Sequence, residues 1–290
     1  MSDLEARLGE FRKEFQKVRA EVAKVLVGQD EVVEHTLIAL FAGGHCLLEG
    51  VPGLGKTLLV RTLARVLELE YSRIQFTPDL MPADIIGTRM VVENDRGERK
   101  FEFQKGPIFG QIVLADEVNR ATPKTQSALL EAMQEHEVTV GRESHKLEEP
   151  FLVLATQNPL EMDGTYPLPE AQLDRFMFKV NVPFPTRTEL TEVLVRTTDI
   201  YEVDVHKVLD GPSIRSYQEL VRKIVVAPHV SDYAVRMLLA THPDQPAAPE
   251  SVRRFVRYGG SPRGVQAMLL GAKIVAALDG RYNVGFDDLR

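Results

Sequence analysis

The chain has 290 residues, 44% of them hydrophobic and 27% charged, and 35 basic against 42 acidic side chains leave a formal charge of −7. That apolar share is enough to offset chain entropy, which excludes a disordered chain. The acidic balance speaks against default attraction to nucleic acid or anionic lipid. The length suggests two domains or one large one.

The chain opens on a charged segment, Met1-Ser2-Asp3-Leu4-Glu5-Ala6-Arg7, without the pattern of a signal peptide. Leu4, Leu8, Phe11, Phe15, Val18, Val22 and Val25 then recur in steps of four and three, along one seam of a helix over residues 1–26. With only about three heptads, a helix packed on its own domain is expected rather than a free coiled-coil arm. The longest apolar stretch, around Leu37–Leu48, is broken by Gly43, Gly44 and His45 and is too short to span a bilayer. A single cysteine, Cys46, rules out an internal disulfide, so a soluble, cytoplasmic protein without membrane insertion is expected.

Cys46-Leu47-Leu48 reads as a short buried strand, and Leu58–Leu69 as a helix. Arg73-Ile74-Gln75-Phe76 is a second candidate strand. Ile112-Val113-Leu114-Ala115, Phe151-Leu152-Val153-Leu154-Ala155 and Phe176-Met177-Phe178-Lys179-Val180 follow, the first two apolar throughout as in parallel strands buried on both faces. Strands alternating with helices predict an α/β fold with a mostly parallel sheet. Pro183-Phe184-Pro185-Thr186 reads as a linker, dividing residues 1–186 from a small helical domain over 187–290. In that second part, Leu220, Val221, Ile224 and Val225 form one apolar stripe, and Val235, Leu238 and Leu239 another.

Gly50-Val51-Pro52-Gly53-Leu54-Gly55-Lys56-Thr57 matches the P-loop pattern, placed after a strand and before a helix. Its glycines let backbone N–H groups converge on phosphate oxygens, and the helix N-terminus adds the positive end of its dipole. Val51, Pro52, Gly53, Leu54, Gly55, Lys56, Thr57 and Leu58 are the expected nucleotide contacts, with Lys56 on the β/γ-phosphates and the Thr57 hydroxyl on Mg2+. The strand Ile112–Ala115 delivers Asp116 and Glu117 to its C-terminal end, where open α/β sheets bind ligands. Asp116 is suited to hold Mg2+ through water and Glu117 to activate an attacking water, or the pair is a helix cap with a first-turn acid. A carboxylate directly after the metal-associated Asp favours hydrolysis over a kinase, which must exclude water. Asn158, in Ala155-Thr156-Gln157-Asn158-Pro159, is placed to bond the attacking water and the γ-phosphate; the other reading is an Asn-Pro turn. The seven histidines lack metal spacing, and no CxxC pair or Ser-His-Asp arrangement is present.

The order Gly50–Thr57, Asp116-Glu117, Asn158, Leu173-Asp174-Arg175-Phe176 and Ser261-Pro262-Arg263-Gly264 resembles AAA+ ATPases, of the P-loop NTPase class. Phe76–Asp84, Asp116–Ala121 and Gly164–Phe176 resemble the MoxR branch, and the likeness runs from about Val27 to near the end. The resemblance implies that Gly28 and Gln29 lie near the adenine, that Asn158 is sensor 1, and that Arg175 is an arginine finger offered to a neighbouring subunit's nucleotide. It implies that Arg263 is sensor 2, reaching the γ-phosphate from the helical lid. Both arginines also admit a plainer reading, Arg175 paired with a nearby acid and Arg263 exposed on its helix. Arg120 and Lys124 either reach across a subunit boundary or form a solvated face. Thr77–Gly87 with Met90–Phe103 resembles the insertion within helix 2 of this clade, and Glu137–Leu147 reads as a hairpin around Gly141-Arg142; both are expected to line a ring's pore or face, or to be surface hairpins.

The resemblance further implies ATP and Mg2+ as cofactors, ATP hydrolysis, a homo-oligomeric ring, most often a hexamer, and chaperone-like work in maturing complexes or inserting cofactors and metals. Implied partners are a protein client and a protein with a von Willebrand A-type domain. A DNA-acting motor shares the core, but the acidic balance disfavours it. A P-loop kinase is disfavoured by Glu117 and Asn158, and a non-hydrolysing switch by Lys56 and Glu117. Phe286-Asp287-Asp288-Leu289-Arg290 looks like the opening of a further helix, so the lid is expected to be truncated.

Overall fold

The computed structural model describes residues 2–93, 99–159, 164–198 and 203–290; residues 94–98, within the expected Met90–Phe103 segment, lie outside it. The chain opens with α1 (Ser2–Ala23), α2 (Asp30–Ala42), β1 (Cys46–Glu49), α3 (Lys56–Val66) and β2 (Tyr71–Gln75). A short helix, α4 (Pro82–Ile86), and a hairpin, β3 (Gly87–Glu93) and β4 (Arg99–Lys105), separate β2 from β5 (Ile112–Asp116). Then come α5 (Pro123–Glu135), the hairpin β6 (Glu137–Val140) and β7 (Glu143–Lys146), β8 (Leu152–Gln157), α6 (Glu170–Leu173) and β9 (Phe178–Asn181). The remainder is helical: α7 (Arg187–Thr198), α8 (Gly211–Arg222), α9 (Pro228–Ala240), α10 (Glu250–Phe255) and α11 (Pro262–Leu278).

Five strands form one parallel sheet in the order β2-β5-β8-β1-β9. The unbroken apolar runs follow from burial on both faces. Cys46, Leu48, Ile112, Leu114, Leu152 and Leu154 face one core with α1, α2 and α3, while Leu47, Val113, Ala115, Val153 and Ala155 face a second with α4 and α5. Leu8, Phe11, Phe15, Val18 and Val22 of α1 are buried in the first core, so the amphipathic seam closes on its own molecule. The same core takes in Ile214, Tyr217, Leu220 and Val221 of α8 and Ala272, Ile274, Ala276 and Ala277 of α11.

Two expected stripes are only partly core. Val225 is 61% exposed, because α8 ends at Arg222 and the chain beyond it is extended, bridging to Asn283. Val235 and Leu239 are also exposed, since α9 packs through Val230 and Ala234. One residue along a helix turns the side chain by about 100°, enough to move Val235 off the buried face. The last residues form a 3-10 turn, Asp287–Leu289, with Leu289 buried. Among the described residues no helix is long and apolar enough to cross a membrane.

His45 precedes β1 and is fully buried; Nδ1 accepts the Val153 N–H at 3.1 Å and Nε2 lies 3.1 Å from the Met133 carbonyl. An N–H can only donate and a carbonyl only accept, so the neutral Nε2–H tautomer satisfies both partners. Burial holds this imidazole at about 4, below its ordinary 6.5. The unfolded chain therefore binds the extra proton first, and stability present above 6.5 is lost as the pH falls towards 4, by about 3 kcal/mol. Urea denaturation at pH 7.5 and 5.0 should show the loss, and an NMR titration placing folded His45 near 6.5 would refute it.

Candidate nucleotide site

Gly53 and Gly55 sit at φ 85° and 78°, left-handed values that favour glycine, and they turn the chain out of β1 into α3. The P-loop thereby rims a cavity of about 390 Å³ with Pro52, Gly53, Gly55, Lys56, Thr57 and Leu58. The C-terminal ends of β5 and β8 supply its other wall, Asp116, Glu117, Thr156 and Asn158. Open parallel sheets bind ligands at this edge. Lys56 donates from Nζ to the Gly50 carbonyl at 2.5 Å. Desolvation lowers its pKa from the ordinary lysine value, opposed by the charges of Asp116 and Glu117.

The acids are held from two neighbouring strands. Arg73 of β2 donates to Asp116 Oδ2 at 2.7 Å and to Gln75 Oε1 at 2.5 Å. The Thr156 hydroxyl donates to Asp116 Oδ1 at 2.6 Å. Glu117 receives Gln75 Nε2 and Arg120 Nη1, each 3.0 Å from Oε2. Arg120 therefore pairs within its own chain. Arg73, Gln75 and Thr156 escaped the sequence reading because nothing in it shows that β2 and β8 flank β5. The register that places Gln75 beside Asp116 is tertiary. The one legible signal was a hydroxyl residue ending an apolar run.

The remaining expected site residues lie outside this cavity. Val51 and Leu54 turn towards the core, and Gln29 donates to the Leu54 carbonyl at 2.5 Å from behind the loop. Gly28 abuts α7, where an added Cβ would stand 2.3 Å from the Glu189 carboxyl. Arg175 donates from Nη1 to the Leu130 carbonyl at 2.5 Å. Arg263 does not reach into the P-loop cavity. It donates to Gln134 at 3.1 Å and lies 3.7 Å from Asp174, because the Ser261 hydroxyl bonds Asp174 at 2.5 Å and ties the start of α11 there. The two arginines thus border one separate cavity of about 410 Å³. A larger cleft of about 870 Å³ beside α8 is lined by Glu135, Glu137, Glu148, Glu149 and Glu219, a poor setting for polyphosphate. The two hairpins meet where Phe103 stacks on His145 at 4.1 Å and Arg89 pairs with Glu143 at 2.5 Å. No group of three or more His, Cys, Asp or Glu side chains suited to a metal occurs among the described residues.

Residues 45–178 match the ATPase family associated with various cellular activities (AAA). The chain is 44% identical to Chaperone MoxR1 of Mycobacterium tuberculosis over 90% of its own length and 68% of that protein. It is 31% identical to Protein MoxR of Methylorubrum extorquens over 99% of its length and 87% of that protein. A crystal structure of a candidate ATPase from Cytophaga hutchinsonii superposes with a TM-score of 0.91 at 41% identity, covering 99% of this chain and 87% of the other.

Proposed function

The chain belongs to the MoxR family of chaperone-like AAA ATPases, and from that premise we propose that it binds ATP with Mg2+, hydrolyses it, and works as a ring. The observation that carries the reading is the convergence of Lys56, Thr57, Asp116, Glu117 and Asn158 on one cavity. These side chains fit a magnesium nucleotide: one hydroxyl and one carboxylate suit an ion that keeps several waters. Thr57 and Asp116 would hold Mg2+, which when bound neutralises charge on the β- and γ-phosphates.

Lys56 and the P-loop amides hold the phosphates, and Asn158 orients the water. Glu117 takes a proton from that water as its oxygen bonds to the γ-phosphorus. The bond from the γ-phosphorus to the β–γ bridging oxygen breaks, leaving ADP and phosphate. Arg73 and Arg120 are engaged by the two acids, and among the described residues no arginine lines the cavity. We read Arg175 and Arg263, which share a surface away from the cavity, as completing the site of a neighbouring copy. We read residues 1–186 as the nucleotide-binding domain and 187–290 as the lid, in a hexameric cytoplasmic assembly. The name of the Mycobacterium relative supports remodelling of a protein client, and the family likeness supports a partner with a von Willebrand A-type domain.

ATP turnover per subunit, followed as protein concentration rises, tests this reading. Specific activity should climb and saturate, and Arg175→Ala should lower turnover at least about 10³-fold while nucleotide affinity holds. Full activity in a monomer, with Arg175→Ala unchanged, would overturn the shared site.

A further inference from the structure

Thr156 is the last residue but one of β8, is 1% exposed, and uses its hydroxyl twice. It accepts the backbone N–H of Glu117 at 2.8 Å and donates to Asp116 Oδ1 at 2.6 Å. Glu117 sits at φ 57° and ψ 51°, a left-handed conformation that side-chain-bearing residues adopt sparingly. Its N–H has left the strand ladder, and Thr156 is its acceptor. The β5–β8 register ends on Ala115 opposite Ala155, so the next pair along is Asp116 and Thr156. One hydroxyl therefore sets both the Asp116 carboxylate and the backbone turn that aims Glu117.

We propose that Thr156 is a positioning residue for ATP hydrolysis, acting through Asp116 and Glu117 rather than on the nucleotide. This rests on the site being hydrolytic, as read above. Without the hydroxyl, Asp116 Oδ1 loses its bond while Oδ2 keeps Arg73, and Glu117 loses the anchor of its strained turn. A carboxylate that turns away weakens the hold on the metal, and a displaced Glu117 loses its line on the water. Groups that orient ligands and bases in this way contribute about 10- to 100-fold when removed.

The test uses Thr156→Val, Thr156→Ala and Thr156→Ser in the whole chain. Val and Ala should lower kcat about 10- to 100-fold, with KM at saturating Mg2+ within about threefold. Ser, which keeps the hydroxyl, should restore kcat to within about threefold of the parent. A fluorescent ADP analogue supplies a second readout. Affinity without Mg2+ should not change, whereas the Mg2+ concentration that half-saturates the enhancement should rise at least about fivefold in Val and Ala but not in Ser.

Turnover and Mg2+ dependence unchanged in Val or Ala would overturn the proposal. So would a Ser variant as impaired as Val, or Val and Ala that both fail to fold, because either result would make the role structural. If the parent chain shows no turnover, the hydrolytic reading fails separately. The Mg2+ dependence then decides the positioning of Asp116 without it.

Discussion

Glu117→Gln should retain ATP and lose about 10²–10⁴-fold in turnover, the range for removing a positioned general base. Gln is nearly isosteric with Glu and can still accept hydrogen bonds from Gln75 and Arg120, so the loop from β5 into the following turn keeps its anchors. What disappears is the anionic oxygen that we propose takes the proton from water. In the proposed reading the phosphates are gripped elsewhere, by the P-loop amides and by Lys56, which is why binding should persist. Equilibrium binding of a fluorescent ATP analogue, paired with phosphate release, separates the two. Turnover within about threefold of the parent would remove Glu117 from the chemistry.

Phe11→Ala should destabilise the fold by about 3–5 kcal/mol, the usual cost of emptying a fully buried phenyl site. Phe11 is completely buried, with ring centroids 5.0 Å from Phe41 of α2, 5.2 Å from Tyr217 of α8 and 6.0 Å from Phe15. These edge-on and tilted contacts join three helices, so the cavity cannot close by the movement of one side chain. Lys13→Ala, on the exposed side of the same helix, should change stability by less than about 0.5 kcal/mol. Denaturant unfolding of the two variants makes the comparison. Equal stabilities would mean that α1 is a detached arm and that its packing contributes nothing.

That contrast also shows how a periodic sequence can be read. The steps of four and three from Leu8 to Val22 define an apolar seam but not what covers it; a second copy or the chain itself satisfies the pattern equally. In α9 the same reasoning misplaced Val235 and Leu239, because packing against α11 needs only a narrow stripe and Ala234 lies closer to its centre. Apolar residues next to the true stripe look the same in sequence.

By itself, the sequence determined the motifs that are local to one strand end. A P-loop needs its glycines, lysine and threonine within eight consecutive residues, since a single turn must cradle the phosphates, and Asp116 and Glu117 follow from one apolar strand. The parallel sheet was legible for a similar reason: strands covered on both faces have no polar alternation to disguise them. Tertiary structure alone decided which strands flank β5, and with that the contacts of Arg73, Gln75 and Thr156, whose partners lie about 40 residues away along the chain. It also decided that Arg263 stands with Arg175 rather than in the P-loop cavity. A hydrogen bond from Ser261 to Asp174, 87 residues apart, fixes that helix start, and a contact between such distant residues is set by the packing of the whole chain.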